Sequence, residues 1–220
     1  MTNRRTRQGG LLGAALTGLL IVGATSCSGG DDRAEKEPDA PVAAGSLCGG
    51  SAVSTGAAEA LETITGASRF YAAGETSTVA RAAKELVEGA TSSAVIDGEV
   101  CRVYTARSEL RITWRLSDGA SVDDPASKFS LLDMGERALA APDGAFLRFA
   151  CRSERVPGSG PVRIDIGVER GGSPTEPEGD PEALKDAYAT VAHSFSLAMA
   201  KELGCENDGQ LKSNPSLDRL

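Results

Sequence analysis

Two hydrophobic periods alternate along this chain. Val53, Ala57, Ala60, Leu61 and Ile64 keep helical spacing and are followed by Gly66, which predicts a first helix that stops at that glycine. Val79, Ala82, Ala83, Leu86 and Val87 stand at i, i+3, i+4, i+7 and i+8, with Thr76 or Ser77 available as N-cap and Gly89 as C-terminal glycine. A third and longest helix is predicted from Asp180-Pro181-Glu182, where a capping aspartate, a first-turn proline and an acid near the positive helix end agree. It should run to about Leu203 and end at Gly204, burying Leu184, Ala187, Tyr188, Val191, Phe195, Ala198 and Met199. His193 falls roughly opposite that stripe, a position expected to face water.

Between the second and third helices the period changes to two. Leu110, Ile112, Trp114 and Leu116 alternate with Arg111, Thr113 and Arg115, the pattern of a half-buried strand. Val162, Ile164, Ile166 and Val168 repeat it against Arg163, Asp165 and Glu169. A shorter strand precedes each: Cys101, Val103 and Thr105 share one face, and so do Leu147, Phe149 and Cys151. The two hairpins resemble each other, Cys101-Arg102 preceding Leu110-Arg111-Ile112 as Cys151-Arg152 precedes Val162-Arg163-Ile164, which serves here only as a guide to register. The connection from Asp118 to Gly144 is the least legible, with a strand or short helix near Leu131 to Ala140. The expected fold class is α+β: an antiparallel sheet of four or more strands with three helices packed on one face.

The ends of the chain behave differently. Ser28 to Ser46 has no aromatic residue and a high share of Gly, Pro, Ala and charge, so it cannot bury enough surface to offset chain entropy. Residues 27–46 are therefore expected to form a flexible tether, whose nineteen residues after Cys27 reach roughly 24 Å as a Gly-rich coil. Residues 206–220 read as a polar, disordered tail, leaving 47–205 as a single folded domain.

Residues 1–26 have the three-part layout of a secretory signal peptide. Arg4, Arg5 and Arg7 precede an apolar run from Leu11 to Val22, and small residues lead to Cys27. That run is about 18 Å as a helix against the ~30 Å of a bilayer core, too short for a permanent span. Ala24-Thr25-Ser26-Cys27 resembles a lipobox, the motif at which bacterial lipoproteins receive a diacylglyceryl group on cysteine and are cleaved just before it. Ala24 departs from the leucine usual there, and Ala24-x-Ser26 also satisfies the small-x-small rule of ordinary signal cleavage at the same bond. Arg4-Arg5 also permits a twin-arginine reading, without the flanking residues of that signal.

Cysteine counting favours lipidation. Cys27, Cys48, Cys101, Cys151 and Cys205 are an odd number, and a lipid on Cys27 leaves four for two bridges. If Cys101 and Cys151 point toward the helices, the cysteines flanking those helices become their partners: Cys48 with Cys101 and Cys151 with Cys205. Three pairings remain open to four cysteines.

Charge narrows the partners. Loss of the three N-terminal arginines takes the 23 basic residues to 20 against 31 acidic ones, a balance of −11 for the mature chain. No overall field then draws it to nucleic acid or an anionic bilayer, so membrane attachment must be covalent. No metal and no cofactor is expected: there is no C-x-x-C spacing and His193 is the sole histidine, which also weakens Ser-His and Cys-His hydrolase readings. Gly158-Ser159-Gly160 reads as a hairpin tip, and Asp123-Asp124 as a solvated loop rather than a glycosidase or calcium pair. Glu206-Asn207-Asp208-Gly209 is calcium-like for four residues only. Arg102, Arg111, Arg115, Arg148, Arg152 and Arg163 all alternate away from the expected core, a candidate anion-binding face; the plainer reading is an ordinary polar face in a chain with 17 Arg and 6 Lys.

Leu47-Cys48-Gly49-Gly50, the stretches from Ala58-Leu61 to Arg69-Phe70 and from Met134-Gly135 to Phe149-Ala150-Cys151, and Leu203-Gly204-Cys205 together resemble a group of exported actinobacterial lipoproteins of unknown function with a four-cysteine domain. The resemblance implies export, lipidation and the four-cysteine frame, and carries no catalytic residue across. The expected function is a non-enzymatic binding or interaction module on the outer face of a bacterial cell membrane. It would be held there by a diacylglyceryl group, with an anionic envelope polymer or another envelope protein as partner. A small secreted hydrolase using carboxylates is the alternative; a two-lobed solute receptor would need about twice the folded length.

Overall fold

The helical stripes form helices with side-chain caps. In the computed structural model, which describes residues 40–72, 74, 76–92, 96–117, 125–158, 160–171 and 178–220, α1 spans Thr55–Thr65, α2 Val79–Thr91 and α3 Pro181–Leu203. Ser54 Oγ accepts from Ala57 N at 3.2 Å and Asp180 Oδ1 from Ala183 N at 2.8 Å, while Gly66 and Gly204 end their helices in the left-handed conformation. The α2 cap is Thr78 rather than Thr76 or Ser77, and Gly89 is a buried position inside the helix rather than its stop. Ser77 instead accepts from Arg102 N at 3.1 Å, fastening the start of α2 to a strand.

The strands are β1 Tyr71–Ala72, β2 Asp97–Tyr104, β3 Glu109–Ser117, β4 Ser130–Leu132, β5 Arg137–Ala141, β6 Gly144–Cys151 and β7 Val162–Gly171. They form one antiparallel sheet in the order β1-β2-β3-β7-β6-β5-β4. Two meanders, β1 to β3 and β4 to β7, thus meet along β3 and β7, whose register runs from Glu109 opposite Gly171 to Ser117 opposite Arg163. The segment near Leu131 to Ala140 holds β4 and β5, two short strands rather than a helix. All three helices pack on one face. There α3 lies over β5, β6 and β7, α2 lies over β2 and β3, and α1 packs against α3. Trp114, Phe149, Ile164, Ile166 and Leu147 from the sheet meet Tyr188, Phe195, Leu61 and Leu86 from the helices, all essentially inaccessible.

One irregularity in β2 aims a cysteine. Glu99 faces Thr113 and Cys101 faces Ile112, so Val100 is an inserted residue. In an unbroken strand Cys101 would share the outward face of Glu99; the bulge turns it inward beside Val100, and both are buried. Next to it, Gly98 lies opposite Trp114, and a Cβ there would fall 2.7 Å from the indole Nε1.

Both expected disordered margins need correction. The fold begins before Leu47: Val42 makes an antiparallel bridge with Phe70, and Ala44 is buried in a short 3-10 segment, Ala44–Gly49. Residues 206–220 are not a frayed tail. Leu211 is buried, and Arg219 bridges Leu132 on the β4 edge, with Asp133 N donating to Asp218 O and Leu220 N to Leu131 O, each at 3.1 Å. The tail's polar side chains face water while its backbone completes the sheet, so composition gave no sign of it. Isolated bridges thus place Val42 beside the residue before β1 and Arg219 beside β4, at opposite ends of the strand order. Among the described residues no helix is long and apolar enough to cross a membrane.

Candidate functional site

The sheet face away from the helices carries the arginines. Cross-strand register places Asp97, Arg115, Asp165, Arg148 and Arg137 in one row across β2, β3, β7, β6 and β5. A second row holds Arg102, Arg111 and Glu169. Each candidate arginine on a strand stands beside a carboxylate. Arg102 bonds Glu99 and lies 3.3 Å from Glu109; Arg111 is 4.0 Å from Glu99, Arg115 3.8 Å from Asp97, and Arg163 2.8 Å from Glu136. Glu99, with Tyr104 behind it, pushes the Arg102 guanidinium further above its ordinary value, so its charge is fixed. Arg152 stands apart, one residue past β6, 3.8 Å from Glu206.

Arg148 differs from the others by burial. It is 9% exposed and its partner Asp165 6%, and they join through two parallel bonds, Nε to Oδ1 at 2.7 Å and Nη2 to Oδ2 at 3.0 Å. The guanidinium also lies 5.7 Å from the Phe146 ring centroid. Asp165 was visible in the sequence only as an outward polar position of β7; the β6–β7 register makes it the partner of Arg148. The six arginines thus each stand near an acid, and the face carries both signs rather than a positive field alone.

The four domain cysteines form two bridges, Cys48–Cys101 with Cα atoms 5.6 Å apart and Cys151–Cys205 at 5.0 Å. All four are buried, and each bridge ties a segment flanking a terminal helix to the sheet. Cys27 and Asp123-Asp124 lie outside the described residues. Gly158 and Gly160 lie in the β6–β7 connection, as expected for a hairpin tip. In Glu206–Gln210, Asn207, Asp208, Gly209 and Gln210 form a left-handed turn packed against Phe149, where a Cβ on Gly209 would fall 2.7 Å from Cδ2. Among the described residues no group of three or more His, Cys, Asp or Glu is placed to hold a metal.

His193 is the clearest correction at the level of a single residue. It is 4% exposed, not a surface group, and its ring Nε2 lies 3.0 Å from Lys212 O. Burial lowers its pKa below the ordinary value, against a smaller raising effect of the Lys212 carbonyl. The cause lies in the tail: α3 has the sheet on one side, α1 and α2 on another, and the chain returning after Gly204 over a third. His193 thereby lines a cleft of about 120 Å³ with Asp133, Met134, Gln210, Leu211 and Asn214. No amphipathic stripe could reveal this, because the covering residues come from beyond the helix.

The chain matches no family model, and no curated protein or solved structure shows significant similarity to it.

Proposed function

We propose that this chain is an exported, lipid-anchored module of the bacterial cell envelope that binds another envelope protein through its open sheet face. The observation that carries this is the ion-paired face itself. Arg102, Arg111, Arg115, Arg148 and Arg163 each stand within 4.0 Å of a carboxylate. An anionic polymer would have to displace those acids one by one, whereas a protein surface of mixed charge can add to rows that carry both signs. The anchor is supported by the signal-peptide layout, the lipobox-like Ala24-Thr25-Ser26-Cys27, and two bridges that use the other four cysteines. Disulfides of this kind persist in oxidising compartments.

Mass spectrometry of the mature N-terminus tests the anchor: a diacylglyceryl mass on Cys27 is expected, and an unmodified Cys27 makes the protein a freely secreted one. For the face, crosslinking in intact envelopes is compared between the native chain and one with Arg111, Arg115 and Arg163 replaced by Ala. A protein adduct that weakens with salt and with the replacements is expected. Retention on an anionic glycopolymer column in place of such an adduct would transfer the face to a polymer ligand. Unchanged adducts would remove the face from the binding site.

A further inference from the structure

The chain's last residues occupy the β4 edge as a bound peptide would. Leu220 N donates to Leu131 O and Asp133 N to Asp218 O, both at 3.1 Å, on either side of the Leu132–Arg219 bridge. Leu217 packs against the core, and Arg219 reaches α3, where Nη2 meets Glu182 Oε2 at 2.7 Å and Asp186 Oδ1 at 3.0 Å. This has the two components of strand-addition recognition: backbone bonds that hold any extended segment, and side-chain contacts that select one. The selecting group is acidic. Lys185 bonds Glu182 Oε1 at 2.8 Å and also reaches Ser130, so without Arg219 the cluster of Glu182, Asp186 and Lys185 keeps one net negative charge. Ahead of these residues Lys212, Asn214 and Ser216 line the cleft beside His193, so the segment that would have to leave the edge is Leu217 to Leu220.

We infer that the β4 edge, with Glu182 and Asp186, is a docking site for an extended segment of a partner protein. That segment carries an apolar residue at the place of Leu217 and a basic one at the place of Arg219, and the chain's own C-terminus is the occupant that it displaces. The tethered tail competes at an effective concentration in the millimolar range, so the site answers only to a partner that is itself concentrated or held nearby. This surface lies on a different edge and element from the open arginine face, and its fate is independent of that proposal.

The test uses a chain ending at Ser216 and the synthetic pentapeptide Ser-Leu-Asp-Arg-Leu, which is Ser216–Leu220. The shortened chain should bind the peptide at least tenfold more tightly than the full chain. Replacing the peptide's arginine by Ala, or the pair Glu182→Gln with Asp186→Asn in the chain, should weaken that binding about threefold, the size expected of pairs this open to solvent. Equal binding by both chains, or none by a shortened chain that melts like the native one, overturns the inference. Should the shortened chain fail to fold, the full-length Arg219→Glu chain replaces it. Repulsion from Glu182 and Asp186 should then speed hydrogen exchange at the Asp133 amide at least tenfold and open the edge to the peptide, and unchanged exchange overturns the inference. A concentration-dependent dimer lost on truncation would assign the edge to a second copy and overturn the partner.

Discussion

The two faces of the sheet solve the same geometric problem with opposite chemistry. On the helix side, Trp114, Phe149, Ile164 and Ile166 are buried against α2 and α3, and both disulfides stand there. On the other side, arginines and carboxylates are interspersed, and among the described residues only the Arg148–Asp165 pair is withdrawn from water. Stability should therefore reside almost wholly on one face, while the other is free to be altered, with a single exception at its centre.

Substitutions can break or sharpen that contrast. The largest effect is expected from Phe149→Ala, which empties the core and removes the ring beneath Gly209; thermal or denaturant unfolding should show a loss of about 4 kcal/mol. Arg148→Ala should cost roughly 3 kcal/mol by leaving Asp165 buried and unpaired. Arg148→Met combined with Asp165→Leu should return to within about 1 kcal/mol of the native chain. If the double variant is as unstable as the single one, the pair is indispensable and the contrast between the faces is weaker than stated. A smaller, pH-dependent effect belongs to His193. Its pKa is lowered in the folded state, so the unfolded chain binds more protons, and its contribution is whole above about pH 6.5 and falls as the solution is acidified below that value. Melting at pH 7.5 and pH 5 should show a drop that His193→Gln reduces; an identical drop in both chains would remove His193 as its source. The smallest effect is expected from Arg111→Ala, which loses one exposed pair at 4.0 Å and should stay under about 1 kcal/mol.

What the sequence disclosed follows the same division. Period-two alternation located β3 and β7, helical spacing located the three helices, and Asp180 and Gly204 marked the ends of α3, because in each case one face of an element meets the core. The position of the cysteines beside those elements also led to the bridges the structure contains. The larger failures are places where residues are held by chain returning from elsewhere. His193 is covered by Lys212, Val42 is held by the backbone of Phe70, and Asp218 to Leu220 are held by the backbone of β4. Backbone bonds carry no side-chain pattern, and so a polar tail that completes a sheet reads like one that does not. The acidic partners of the arginines were equally invisible until register fixed which strands are neighbours.

The bridges join the four domain cysteines in their order along the chain, first with second and third with fourth. A polypeptide delivered N-terminus first can close Cys48 to Cys101 before Cys151 and Cys205 have emerged, so an oxidant that joins thiols as they appear arrives at the native set with no reshuffling, a step that otherwise takes seconds to hours. Cys27 precedes all four and is the one thiol that would disturb this order. On the reading proposed above, the lipid that anchors the protein also takes that thiol out of play.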